Sequence, residues 1–254
     1  MKVVYYKNGK KGETFTITDS HSLEKGRYIF GGSNIKEFNS SLDSLVECEM
    51  MFYNCTSLTK FSADLSNLKD ASRSFSPLGM FYGCTSLTSF TSNLPKLESG
   101  WGMFYGCTSL TSFCSDSKGS PVNLENLSYG YNMFARCTSL ESFTSNLPKL
   151  EYGFNMFDGC TSLTTFTTDL PSLIDGSNMF KGCDNLTEFN CNNLSSLEDG
   201  KYMFNNCSAL GNFNTKLHNL KNGDYMFYNC SAMKFDTKLS GDIFSIDSPK
   251  LTSG

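Results

Sequence analysis

Apolar residues in this chain recur at an interval far longer than the 3.6 of a helix or the 2 of a strand. A Met-Phe pair stands at Met51-Phe52, Met80-Phe81, Met103-Phe104, Met133-Phe134, Met156-Phe157, Met179-Phe180, Met203-Phe204 and Met226-Phe227, at intervals of 29, 23, 30, 23, 23, 24 and 23. Three residues after each Phe comes a cysteine: Cys55, Cys84, Cys107, Cys137, Cys160, Cys183, Cys207 and Cys230. Three further on stands Leu58, Leu87, Leu110, Leu140, Leu163, Leu186, Leu210 or Met233, then a Phe column: Phe61, Phe90, Phe113, Phe143, Phe166, Phe189, Phe213 and Phe235. A leucine pair such as Leu94 and Leu97 closes each unit, and Gly100, Gly130, Gly153, Gly176, Gly200 or Gly223 follows in the later ones. The unit is 23 residues, MFxGCTSLTSFTSNLPKLESGxx, and an imperfect first copy runs through Phe30, Ile35, Phe38, Leu42 and Leu45.

A period in the 20–50 range predicts a solenoid, because one unit carries too few apolar side chains to bury a core alone. Stacking places Phe on Phe and Leu on Leu in continuous columns. The Leu-Thr-Ser-Phe segment alternates apolar and polar residues, which predicts a half-buried strand pairing in parallel with the next coil. Leu-Pro-Lys-Leu-Glu-Ser-Gly predicts a second short extended segment, with the glycines in a tight or left-handed turn. The Met-Phe-x-Gly-Cys segment predicts a helical turn at the corner. Together these give a solenoid of about nine turns over residues 28–254.

Residues 1–27 lie outside the repeat. Val3-Val4-Tyr5-Tyr6 and Thr14-Phe15-Thr16-Ile17 flank Asn8-Gly9, which predicts a β-hairpin capping the first coil. At the other end Ser248-Pro249-Lys250-Leu251-Thr252-Ser253-Gly254 matches Leu94-Pro95-Lys96-Leu97-Glu98-Ser99-Gly100, so the repeat is expected to continue past Gly254.

Composition narrows the function. Charged residues make up 18% of the chain and the net charge is -4, below the usual charged share, with Ser, Thr, Asn and Gly in their place. No basic run exists, which excludes a nucleic-acid partner. No segment has the apolar length to span a bilayer, and MKVVYYKNGKKGETFTI lacks the apolar core of an export signal.

Candidate chemistry is sparse. Eleven cysteines at regular spacing read as a ladder of small buried hydrophobes, and Cys48, Cys114 and Cys191 add no Cys-x-x-Cys spacing for zinc. His21 and His218 belong to no metal or nucleophile motif, and no paired-carboxylate or hydrolase elbow supports catalysis. Asp64, Asn93, Asn146, Asp169 and Asn193 form a column open to a calcium reading, but Lys216 and Lys238 continue it, so it reads as a solvated turn. The sequence therefore predicts no catalytic residues, no cofactor and no metal.

The Phe-x-x-Cys-x-x-Leu-x-x-Phe core with its Leu-x-x-Leu return resembles the BspA-like leucine-rich repeats, also called the Treponema pallidum type, over residues 28–239. Met-Phe stands where that family usually carries a small residue before Phe. The resemblance implies a right-handed leucine-rich-repeat coil and a role in adhesion to host components.

Two further columns carry aromatics in some coils and polar residues in others, which marks exposure. Trp101, Tyr131 and Phe154 follow the glycine in three successive coils; Tyr53, Tyr82 and Tyr105 follow Met-Phe in three others. Insertions around Ala71–Leu78 and Cys114–Asn123 fall in the same half of the chain, where solenoids often bind. These six aromatics are the candidate face for a protein or glycan partner. The expected function is a non-enzymatic recognition module at an extracellular surface, either on a bacteriophage virion, as a tail-fibre-like appendage, or on a bacterial cell as an adhesin. A purely structural spacer that self-associates or docks to other subunits is the competing class.

Overall fold

The computed structural model describes residues 23–72 and 78–234. The expected hairpin around Asn8-Gly9, His21, Phe235, Lys238 and the Leu251 segment lie outside them, as do residues 73–77 of the first insertion. The described chain is a parallel β-solenoid. Its strands are β1 (Lys25–Arg27), β2 (Glu37–Asn39), β3 (Glu47–Glu49), β4 (Lys60–Ser62), β5 (Ser89–Thr91), β6 (Ser112–Cys114), β7 (Ser142–Phe143), β8 (Thr165–Phe166) and β9 (Glu188–Phe189). They make parallel sheets ordered β2-β4-β5-β6, β7-β8-β9 and β1-β3.

Register follows the repeat. Phe38 pairs with Phe61, Phe61 with Phe90 and Phe90 with Phe113, then Phe143 with Phe166 and Phe166 with Phe189. The second extended segment is a column of single bridges that joins Glu47, Asp70, Ser99, Tyr129, Tyr152, Asp175, Asp199 and Asn222. That column closes about seven turns; the expected nine is not reached among the described residues.

The core is two phenylalanine columns meeting edge to face. Phe38, Phe61, Phe90, Phe113, Phe143, Phe166, Phe189 and Phe213 stack on one side. Phe52, Phe81, Phe104, Phe134, Phe157, Phe180 and Phe204 stack on the other at centroid separations of 5.3 to 5.4 Å. Across the seam Phe157 meets Phe166 at 66°, the T-shaped geometry that sets a ring's positive edge against a negative face. The strand ladder breaks between β6 and β7, after the insertion that follows Cys114. The rings bridge that break, Phe113 to Phe143, at 6.1 Å.

The corner corrects an expectation. No helix occurs among the described residues, and Met-Phe-x-Gly-Cys is a run of turns. Two left-handed residues bracket it, as at Asn132 (φ 53°) and Arg136 (φ 61°), or Asn178 (φ 55°) and Gly182 (φ 70°). Between them the N–H groups alternate in direction: Ala135 donates back to Asn132 while Phe134 donates across to Met156 of the next coil. A helix would use every N–H within the segment; here half of them join coils.

The glycines after the leucine pair also differ from expectation, since none of Gly100, Gly130, Gly153, Gly176 and Gly200 has a positive φ. They provide space. A Cβ on Gly100 would lie 2.7 Å from the Met133 sulfur, and one on Gly153 3.1 Å from that of Met179. Overpacking a filled core costs about 1–3 kcal/mol, so Gly100→Ala is expected to lower the melting temperature by several degrees and Gly153→Ala by less. Equal melting temperatures for the two variants in a thermal scan would contradict this account.

The cysteine column is buried except for Cys230, which is half-buried, and all its thiols are free. Each Sγ donates to the carbonyl of the corner phenylalanine one coil earlier: Cys55 to Phe30 at 2.9 Å, Cys84 to Phe52 at 3.0 Å, Cys137 to Phe104 at 3.1 Å, Cys160 to Phe134 at 3.1 Å and Cys207 to Phe180 at 3.0 Å. That explains cysteine at this position. Alanine would fill similar space but leave a buried carbonyl with one partner fewer.

Candidate functional site

The solenoid brings the six sequence-predicted aromatics together as two groups on different columns. Tyr53, Tyr82 and Tyr105 follow the corner Phe and stack face to face, at 5.6 Å and 19°, then 4.6 Å and 5°. Tyr28, which sequence reasoning missed because its coil lacks the Met-Phe pair, extends this stack at 5.9 Å. At the other end the Arg136 guanidinium lies 5.6 Å above the Tyr105 ring. Arg136 occupies a left-handed position that neighbouring coils fill with Gly106 and Gly159, so its placement carries a backbone cost of about 1–2 kcal/mol.

Trp101, Tyr131 and Phe154 form the second group. Their rings are splayed: Trp101 to Tyr131 is 5.0 Å at 44°, and Tyr131 to Phe154 is 6.5 Å at 57°. Tyr129 and Tyr152, from the bridge column, stand beside them as a parallel pair, 5.4 Å apart at 2°, and contact Tyr131 at 6.4 and 6.0 Å. Both were missed by the sequence reading. The signal was there, since Tyr129 and Tyr131 flank a glycine in an extended segment and so share a face. Burial, together with Asp175, Tyr152 and Tyr129 nearby, pushes the Tyr131 phenol up from its ordinary value, so it stays a neutral hydroxyl. No ring contact joins the two groups among the described residues.

A third set, also missed, lies toward the C-terminal coils. Tyr202 and Tyr225 stack at 5.1 Å and 7°, Tyr228 meets Tyr225 edge on, and the Lys201 ammonium sits 5.4 Å from the Tyr202 ring. The largest exposures of big apolar side chains fall in these columns: Tyr28 49%, Tyr129 44%, Tyr225 58% and Tyr228 45%.

Titratable groups are arranged for structure. A polar cleft of about 440 Å³ is lined by Lys25, Arg27, Glu47, Glu49, Cys48 and Asp70. Lys25 pairs with Glu47 at 3.0 Å and Arg27 with Glu49 at 3.1 Å, while Asp70 accepts from the Ser72 N–H and hydroxyl. The column read as a solvated turn caps backbone: Asp64 accepts from the Ser66 N–H, Asn93 from Asn123, Asp169 from Asn192 and Asn193 from Ser195. Among the described residues no group of three or more His, Cys, Asp or Glu side chains is placed to hold a metal ion. Nor is any helix there long and apolar enough to cross a membrane.

The family described as the BspA type leucine-rich repeat region matches residues 72–171 and 127–248, in 6 copies. Residues 6–117 match a family described as a Mycoplasma protein of unknown function. No curated protein matches the chain. Among solved structures, a leucine-rich repeat protein from Eubacterium ventriosum is 18% identical, with 85% of this chain and 70% of that one covered and a TM-score of 0.42. One from Bacteroides ovatus is 16% identical, covering 85% and 82%, with a TM-score of 0.27. A leucine-rich cell surface protein from Faecalibacterium prausnitzii is 15% identical, covering 100% and 99%, with a TM-score of 0.34.

Proposed function

Because the chain belongs to the BspA-type leucine-rich repeat family, we propose that it is a non-enzymatic recognition rod at a cell surface, holding a macromolecular partner through its aromatic columns. The observation that carries this reading is the set of exposed rings on a rigid scaffold, Tyr129 at 44% and Tyr28 at 49%. Tyr and Trp give large contact area for little lost rotamer freedom and dominate binding hot spots. Carbonyl, thiol and hydroxyl groups facing the neighbouring coil are taken up in stacking, so the flanks are the surface left for a partner. A virion appendage has no supporting feature in the fold or among the relatives.

The test is binding of the fluorescently labelled chain to a panel of bacterial and animal cells. Substituting Tyr129 and Tyr131 together with serine, or Tyr53 and Tyr82 together, is expected to weaken binding at least tenfold in one of the two pairs. Full binding by both variants would leave the rod as a spacer with no ligand on its flanks.

A further inference from the structure

We infer that the face formed by Trp101, Tyr129, Tyr131, Tyr152 and Phe154 is a binding site for an uncharged oligosaccharide; this rests on the recognition reading above and names its ligand. Three observations carry it.

The first is ring orientation. In the Tyr53–Tyr82–Tyr105 stack, with tilts of 19° and 5°, ring faces are covered by neighbouring rings and by Arg136, so a ligand approaching from the side meets only edges. Trp101, Tyr131 and Phe154 are tilted from one another by 44° and 57°. Tyr129 and Tyr152 lie within 23° of the Tyr131 plane and form a parallel pair beside it. Exposed aromatic surface, such as that of Tyr129 at 44%, is what the axial C–H groups of a pyranose pack against.

The second is charge. In the two columns that build this face, the flanking coils carry Glu47 and Glu49 or Asp70 on one side, and Asp175, Asp199, Lys201 and Asp224 on the other. The three coils between them carry Ser99 and Trp101, Tyr129 and Tyr131, Tyr152 and Phe154. Within these two columns the three coils carry no charged side chain, and Asp175 of the next coil borders them beside Tyr131, so uncharged hydroxyls would meet uncharged side chains across most of the face. Coils repeat at roughly 4.8 Å, close to the advance of one sugar unit in an extended chain.

The third is hydrogen-bonding capacity. Beside the rings the Asn155 amide donates to that of Asn132 at 3.1 Å, and this half-exposed pair leaves donors and acceptors for sugar hydroxyls.

Trp101 is the single tryptophan of the chain, so its emission reports on this face alone. The full chain is titrated with neutral cello-, xylo-, manno- and chito-oligosaccharides, and with oligolysine as the charged alternative. The expected result is a saturable emission change with at least one neutral oligosaccharide, weakened about tenfold or more in Tyr131→Ala. Tyr131→Phe, which keeps the ring, should retain it. Circular dichroism confirms that each variant is folded. A response to oligolysine alone, or none across the panel, overturns the inference. If the labelled chain still binds cells while these oligosaccharides neither change the emission nor compete, the oligosaccharide assignment fails and the recognition reading stands. Loss of cell binding by the native chain would remove the recognition reading itself.

Discussion

Raising the pH from 8 to about 10.5 is expected to unfold the rod, and the buried thiols are expected to be the main cause. Burial pushes Cys48, Cys84, Cys107, Cys137, Cys160, Cys183 and Cys207 well up, and brings Cys191 and Cys230 to about 11. In the unfolded chain the same groups titrate near 8.5. Below that value both states hold the protons and the full stability is present. Above it the unfolded chain releases protons that the folded chain keeps, so stability is lost as pH climbs toward the folded values, by up to about 1.4 kcal/mol per pH unit for each buried thiol. Several such groups acting together exceed the roughly 5–15 kcal/mol that holds a typical domain within one or two pH units. Cys55 opposes the trend, drawn down to about 7 by the Cys84 thiol first and by Ser33. Circular dichroism against pH measures the transition. Replacing Cys160 and Cys183 with serine keeps a donor for the Phe134 and Phe157 carbonyls but removes two titrating groups, so the alkaline midpoint should move upward. A midpoint that stays in place would assign the transition to other groups.

The second large effect is Phe157→Ala. This ring touches Phe134 and Phe180 in its own column, at 5.4 Å each, and Phe143 and Phe166 across the seam, at 5.0 and 5.7 Å. Removing it costs about 3–5 kcal/mol through lost transfer energy and the cavity left behind. In a solenoid that loss falls on the interfaces between neighbouring coils, so cooperativity should break there. Urea denaturation is expected to change from one transition to two, with hydrogen exchange rising first in the coils beside residue 157. Phe213→Ala, at a ring 8% exposed, should cost less and leave a single transition. One undivided transition at lower urea for Phe157→Ala would mean that the coils couple over a longer range than their contacts suggest.

The columns were legible because stacking turns spatial neighbours into sequence neighbours 23 residues apart. Phe61 over Phe38 and Phe113 over Phe90 could be read directly from spacing. Hydrogen-bond roles could not, because a periodic pattern reports which side chain faces inward and says nothing of what its polar atom meets. The cysteine ladder read as packing, yet each thiol also reaches a carbonyl of the previous coil. The threonines read only as polar positions of an alternating strand, yet Thr59, Thr88 and Thr111 donate in turn to the carbonyls of Lys36, Thr59 and Thr88. The glycine after the leucine pair read as a turn residue, because spacing does not reveal the methionine sulfur of the next coil. At the candidate site Trp101, Tyr131 and Phe154 were found by their departure from a variable column. Tyr129 and Tyr152 were passed over because their column otherwise holds Ser99, Asp175 and Asp199.

The thiols are free, and the bonds between coils run along the rod. Tension applied between the two ends therefore loads these bonds one coil at a time, as a zip is opened, and does not shear many at once. Each coil released would add up to roughly 75 Å of chain, from 23 residues at about 3.3 Å each, in exchange for one step of the stack. Disulfides across the coils would have locked that length away. Without such cross-links the stack is expected to lengthen coil by coil under tension and to shorten again as coils restack.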